Sequence, residues 1–157
     1  MRYEINGNIT TVYDSKGDSF VIDTDQLGKV LKYNWYVDNR KGYVRTASRK
    51  IKRIPLHRYL LGVESTVDHI NRNPRDNRLS NLRLCTLQEN NLNKGVRKDS
   101  KSGVKGISIE QNKKSKYKAR IQFNGRRITI GYFQTMEEAE RAYKEKAREL
   151  FGEYAPD

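Results

Sequence analysis

Residues 67–93 read VDHINRNPRDNRLSNLRLCTLQENNLN, and they confine the fold more tightly than any other stretch of the chain. Two short apolar runs, 66–70 and 82–86, bracket a polar loop over 71–80 that carries Asn, Asp, Arg and one proline. Such a loop has too little apolar surface to enter a core. Its Asn and Asp side chains instead build turns by bonding to nearby backbone groups. Thr86 lies three residues before Glu89, the spacing of a capping box at a helix start. The stretch therefore predicts strand, loop, strand, then a helix through Asn93.

The same residues carry candidate chemistry. Asp68 and His69 are adjacent, and the chain has only two histidines, His57 and His69. An imidazole is largely neutral near pH 7 and can take a proton from water. Asp68 and Asn90 are hard oxygen donors of the kind Mg²⁺ accepts, since that ion keeps waters and few protein ligands. One geometric demand follows. Neighbours on a strand point to opposite faces, so Asp68 and His69 can serve one task only at a bend or a strand end.

The pattern D-H-x-N-x-N-x-x-D-N-R-x-x-N-L-R-x-x-T-x-x-x-N-x-x-N, running from Asp68 to Asn93, resembles the HNH nuclease family, and specifically phage and intron-associated homing endonucleases. The resemblance implies a ββα-metal module over residues 56–93. It implies that His69 is the general base and that Asp68 and Asn90 hold one divalent cation, Mg²⁺ or Mn²⁺. It implies that Asn81 orders the loop and orients the histidine. The zinc-binding cysteines of some HNH proteins are missing, so no structural zinc is implied. His57, in Leu-His-Arg, reads equally as a second support for the site or as core. The remaining loop residues, Asn77 among them, read as turn formers.

The partner is read from charge. The chain has 157 residues and a formal net charge of +13, which points to a polyanion, and nucleic acid is the commonest one. Between Lys94 and Ile130 twelve basic residues face only Asp99 and Glu110. Residues 94–102, with Arg97 and Lys98, read as an extended basic linker. Three strands are expected after it, at 104–110, 117–123 and 127–133, with Asn124-Gly125 as a two-residue hairpin turn. Alternation puts Tyr117, Ala119, Ile121 and Phe123 on one face of the sheet. Lys118, Arg120 and Gln122 fall on the other, extended by Arg127 and Thr129. With Lys105, that polar face suits phosphates and base edges in a DNA groove. Thr135 and Glu138 form a second capping box, followed by Ala139, Ala142, Tyr143 and Leu150 at helical spacing. The segments GVKGI, YKARI, GYF and TMEEAERAY resemble the Apetala-type (ethylene-response-factor) DNA-binding domain over about 50 residues. Its arginine-rich first strand is replaced here by Lys105, Ser108 and Glu110, so no plant-type target preference carries over.

The first 55 residues read as β-rich, with turns at Asn6-Gly7 and 15–18, a short helix over 25–32, and strands at 35–37, 42–46 and 53–56. Trp35 is expected in the core. Residues 56–62 suggest a short helix before the motif. Cys85 is the one cysteine, which leaves no internal disulfide and no Cys-rich zinc cluster; it reads as a small buried hydrophobe. No apolar run approaches the roughly 18 residues of a membrane span, so a soluble intracellular protein with no membrane partner is expected.

These readings combine into an α+β chain. Its expected parts are a β-rich region (1–55), the ββα-metal HNH module (56–93), the linker (94–102), and a three-stranded antiparallel sheet packed on one helix (103–157). The expected function is metal-dependent hydrolysis of phosphodiester bonds in double-stranded DNA. The alternative is a non-catalytic DNA-binding regulator that retains the HNH fold; an RNA-binding protein is a further rival resting on basicity alone.

Overall fold

The computed structural model describes residues 1–96, 99–110 and 116–155. It is α+β, with small antiparallel sheets and few helices, and divides into two compact units, Met1–Cys85 and Thr86–Asp157.

The first unit opens with an antiparallel sheet of β1 (Arg2–Asn6), β2 (Ile9–Tyr13) and β3 (Ser19–Asp23), in that order. A one-turn helix α1 (Leu27–Val30) leads to the hairpin of β4 (Trp35–Val37) and β5 (Val44–Thr46). Then come α2 (Leu56–Leu61) and the hairpin of β6 (Val67–His69) and β7 (Leu82–Leu84). Alternation along β2 and β3 sends Val12, Phe20 and Ile22 inward, where they meet Val30, Trp35, Val37, Val44, Leu56 and Leu60 in one apolar core. Each such side chain, fully buried, stabilises the unit by about 1.5–3 kcal/mol. Trp35 is buried as expected, and its indole N–H donates to the Val30 carbonyl at 2.9 Å. Asp14 joins the two layers. Its Oδ1 accepts from the Lys16 and Asp18 amides and its Oδ2 from the Val37 amide.

The second unit holds α3 (Leu87–Asn93), β8 (Ile107–Ile109), β9 (Tyr117–Phe123), β10 (Arg126–Phe133) and α4 (Met136–Phe151). The three strands pair antiparallel in the order β8-β9-β10. Asn124 and Gly125 both take positive φ, 48° and 74°, as their two-residue turn requires. Both expected capping boxes are present, Thr86 with Glu89 and Thr135 with Glu138, each worth about 1 kcal/mol to its helix. The buried face of α4 is Ala139, Tyr143, Ala147 and Phe151. Leu92 of α3 packs into the same core, against Ile121, Tyr143, Ala147 and Phe151.

Four expectations are corrected. Residues 53–56 are not a strand. Lys52 and Arg53 take left-handed φ of 52° and 55°, and Pro55 then starts α2, leaving a single bridge from Arg45 to Pro55. The strand expected at 104–110 shortens to β8, because Gly106 turns the chain at φ 74°. A Cβ there would stand 2.1 Å from the Tyr143 ring and 2.6 Å from the Arg120 carbonyl, so only glycine fits. The end of the expected extended linker turns instead: the Gly103 amide bonds to the Ser100 carbonyl, and the Ser102 hydroxyl donates to the carbonyls of Val104 and Ile107. Cys85 is only half-buried, its thiol facing the Thr66 carbonyl. Among the described residues no helix is long and apolar enough to cross a membrane.

Candidate functional site

The β6–β7 hairpin sets Asp68 opposite Arg83 and His69 opposite Leu82. All three residues of β6 are buried, and alternation gives the two polar ones different neighbours. Asp68 Oδ2 accepts from Arg83 Nη2 at 3.0 Å and Nε at 3.2 Å. His69 lies among rings and an amide. The His57 ring stands edge-on to it at 5.0 Å between centroids, the Tyr43 ring at 5.9 Å, and Asn77 Oδ1 is 3.3 Å from Nε2. Burial lowers the pKa of His69 below the ordinary imidazole value; the hydrogen bond with Asn77 and the charges of Asp68 and Asp76 oppose this and lose. His57 is pushed down to about 3, by burial first and then by the positive charge that His69, Arg58 and Arg45 would present. Its Nδ1 is buried and meets no hydrogen-bond partner among the described residues. Both rings are therefore neutral at pH 7.

The loop after His69 is held by its own polar side chains. Asn81 Oδ1 accepts from the Asn71 amide, while Asn81 Nδ2 donates to Asn71 Oδ1 and to the Asp76 carbonyl. Asn71 Nδ2 donates to Asp76 Oδ2, and Arg78 grips both Asp76 oxygens at 2.7 and 2.8 Å. Those Arg78 bonds hold the Asp76 carboxyl below the usual carboxylate range. Strand β3 supports the loop from outside. The Val21 amide donates to the Arg75 carbonyl and the Val21 carbonyl accepts from the Asn77 amide, both at 2.8 Å, and Asp23 Oδ2 accepts from the Leu79 amide at 2.7 Å. Asn81 thus ties the loop together, and Asn77 Oδ1 stands within hydrogen-bond distance of the imidazole. Asn77 and Tyr43 are site residues that sequence reasoning did not single out, and His57, read there as either a support for the site or core, stands beside the His69 ring. For Asn77 the available signal was its place in the Asp76-Asn77-Arg78 triplet of the motif.

Residues 62–92 match a family model described as HNH endonuclease. "Uncharacterized HNH endonuclease L560" of Acanthamoeba polyphaga mimivirus is 37% identical over 148 residues, covering 89% of this chain and 74% of that protein. The chain belongs to the HNH endonuclease family. A second relative, "Protein 3.8" of Escherichia phage T7, is 30% identical over 89 residues, which is 57% of this chain and 72% of that one. No solved structure matches.

HNH endonucleases generally use divalent metal ions. Among the described residues, no group of three or more His, Cys, Asp and Glu side chains could hold one. Mg²⁺ does not demand such a cluster, because one carboxylate with waters and substrate phosphate suffices. The carboxylate of Asp68, beside His69, fits that modest requirement. Asn90 lies in the second unit on α3, where its amide bonds to the Thr86 carbonyl.

The DNA-reading candidates are placed as follows. On the sheet, Arg127 stands opposite Gln122 and Thr129 opposite Arg120; Gln122, Arg127 and Thr129 are exposed and Arg120 half-buried. Lys118 lies opposite Tyr132, its ammonium 5.1 Å above that ring. Lys105 is directed elsewhere: its ammonium donates to the carbonyls of Asn91, Leu92 and Lys94, at the C-terminal end of α3. Arg97 and Lys98 lie outside the described residues.

Proposed function

We propose that this HNH protein is a divalent-metal-dependent, homing-type DNA endonuclease that hydrolyses phosphodiester bonds in duplex DNA. The observation that carries the proposal is His69. It is a buried, neutral imidazole fixed between two rings and an amide, on the hairpin that carries Asp68. A neutral imidazole can take a proton from the attacking water. In this reading Asp68 and Asn90 hold one Mg²⁺ or Mn²⁺, and Asn81 serves catalysis by keeping the loop in shape. When bound, the cation supplies positive charge beside the phosphate and its departing oxygen. The C-terminal region, read as an Apetala-type module, positions the nuclease on DNA. Lys118, Arg120, Gln122, Arg127 and Thr129 meet the duplex, with Arg97 and Lys98 on neighbouring phosphates. Lys105 is a further proposed DNA contact, its ammonium lying at the carbonyls that end α3.

A plasmid-nicking assay with Mg²⁺, Mn²⁺ and EDTA tests this. Cleavage should require the cation, and His69→Ala should abolish it while DNA affinity stays nearly intact. A fully active His69→Ala protein would remove His69 as base. Tight binding with no cleavage under any divalent ion would favour the non-catalytic regulator.

A further inference from the structure

Residues 39–63 carry eight Lys and Arg and no Asp or Glu. They run from the tip of the β4–β5 hairpin through β5 and a tight turn into α2, all within the first unit. Asp38, just before them, pairs with Arg45 at 3.3 Å. Arg40, Lys41, Arg49, Lys50, Lys52 and Arg53 are exposed, and none of them meets a carboxylate among the described residues. Clustered like charges repel one another, and an anionic partner removes that cost.

The backbone of the turn supplies a second, independent observation. Among the described residues four other than glycine take positive φ, and three of these are cations: Lys52 at 52°, Arg53 at 55° and Arg72 at 62°. At such angles a Cβ crowds the neighbouring carbonyl, and glycine or asparagine sits there with less strain. A turn that had only to redirect the chain would be easier to build without Lys52 and Arg53. Three backbone bonds hold the strained pair in place. The Lys52 amide donates to the Arg49 carbonyl at 3.2 Å, and the Arg53 and Ile54 amides to the Ser48 and Ile51 carbonyls at 3.1 Å. Ile51 packs from within the turn onto the apolar core. The turn is thus anchored on its apolar side and presents four cations to solvent.

Both basic stretches adjoin the His69 site. A Cβ on Gly42 would stand 3.2 Å from Pro74 Cγ, so the hairpin tip with Arg40 and Lys41 lies against the loop that follows His69. The Tyr43 and His57 rings, one on either side of the turn in sequence, stand 5.9 and 5.0 Å from the His69 ring. Arg53 precedes His57 by four residues, which limits their Cα separation to about 14 Å. That is the length of roughly four base pairs along a duplex.

We propose that the first unit carries its own clamp for duplex DNA: Arg40 and Lys41 at the hairpin tip, and Arg49, Lys50, Lys52 and Arg53 on the strained turn, hold backbone phosphates within a few base pairs of the bond that is cut. The inference deepens the reading of the chain as a DNA nuclease and rests on it for the choice of duplex DNA among polyanions. Contacts to phosphate fix register and orientation and carry no base information. The clamp therefore grips any duplex alike and leaves the choice of sequence to other residues.

The test is equilibrium binding of the full-length protein to short fluorescent duplexes, read by anisotropy in EDTA so that no cleavage intervenes. Two variants each remove two charges. Lys52→Asn with Arg53→Asn keeps residues that tolerate the left-handed backbone. Arg49→Gln with Lys50→Gln leaves the strained pair untouched and decides the matter should the first variant fail to fold. Each should reduce the slope of log K against log salt by about two, and weaken binding roughly tenfold or more at about 0.1 M salt, on duplexes of unrelated sequence. An unchanged slope in a folded Arg49→Gln/Lys50→Gln protein overturns the proposal. So does a loss confined to one sequence, because the side chains would then be reading bases. A loss seen with duplex RNA and not with duplex DNA overturns it in favour of an RNA partner. If the slope falls but the wild-type protein nicks no plasmid under any divalent ion, the clamp stands and the nuclease reading falls. If wild type nicks and the slope is unchanged, the clamp falls and the nuclease reading stands.

Discussion

Acidification forces a proton onto a ring that the fold accepts only as neutral. In the unfolded chain His57 titrates near 6.5; in the folded protein it titrates at about 3, because burial beside His69, Arg58 and Arg45 disfavours the cation. Between those values the unfolded state binds the extra proton, so folding stability falls as pH falls. Above 6.5 the contribution is fully present; it is lost progressively down to about 3. Each pH unit inside the window costs about 1.4 kcal/mol, so His57 alone should remove about 2–3 kcal/mol between pH 7 and roughly pH 4.5. The assay is urea unfolding of wild type and His57→Gln at several pH values. Trp35, the one tryptophan, reports it by fluorescence, since it lies in the same core as Leu56 and Leu60. The wild-type stability curve should descend more steeply than that of the variant by close to one proton across the window. Parallel curves from pH 6.5 to 4.5 would refute the reasoning.

Three further outcomes are expected. Burial lowers the His69 pKa, so the imidazole proposed as base stays neutral below the ordinary imidazole range. The acid limb of the cleavage rate against pH should therefore fall below 6.5, read from nicking rates at saturating metal. Arg127→Gln should weaken DNA binding across sequences and reduce the slope of log K against log salt by about one, as the loss of one phosphate contact does; fluorescence anisotropy at several salt concentrations measures it. Phe20→Ala should destabilise the first unit by about 3–5 kcal/mol, seen as a lower urea midpoint, because Phe20 is fully buried in its core.

What the sequence made legible was whatever rests on neighbours along the chain. The capping boxes at Thr86 and Thr135, the Asn124-Gly125 turn and the inward face of β9 depend on residues a few positions apart, and each is where the pattern puts it. Trp35 was legible from size alone. Tertiary events were not. Residues 53–56 look extended, but two left-handed residues and a proline convert them into the approach to α2. Tyr43 and His57 reach His69 because the core brings three separate segments together, and no local pattern encodes that meeting. Asn77 looked like any loop asparagine. Its distinction comes from Val21, a residue on a strand the motif does not include. Asp68 and His69 posed the problem of adjacent strand neighbours. The fold answers with different surroundings, Arg83 for one and Asn77 with two rings for the other, at the last residues of a three-residue strand.

The capped helix α3 bears on how such proteins can be recombined. Its Leu92 is buried among Ile121, Tyr143, Ala147 and Phe151, Gln88 accepts from the Asn124 amide, and Lys105 bonds to its terminal carbonyls. A chimaera joined at residue 94, just past the family motif, or at 103, past the expected linker, would hand this helix to a foreign partner without the side chains that seat it. A joint at Cys85/Thr86 would keep helix and sheet together. Exchange of the C-terminal unit between relatives should therefore succeed when the last helix of the HNH motif travels with it.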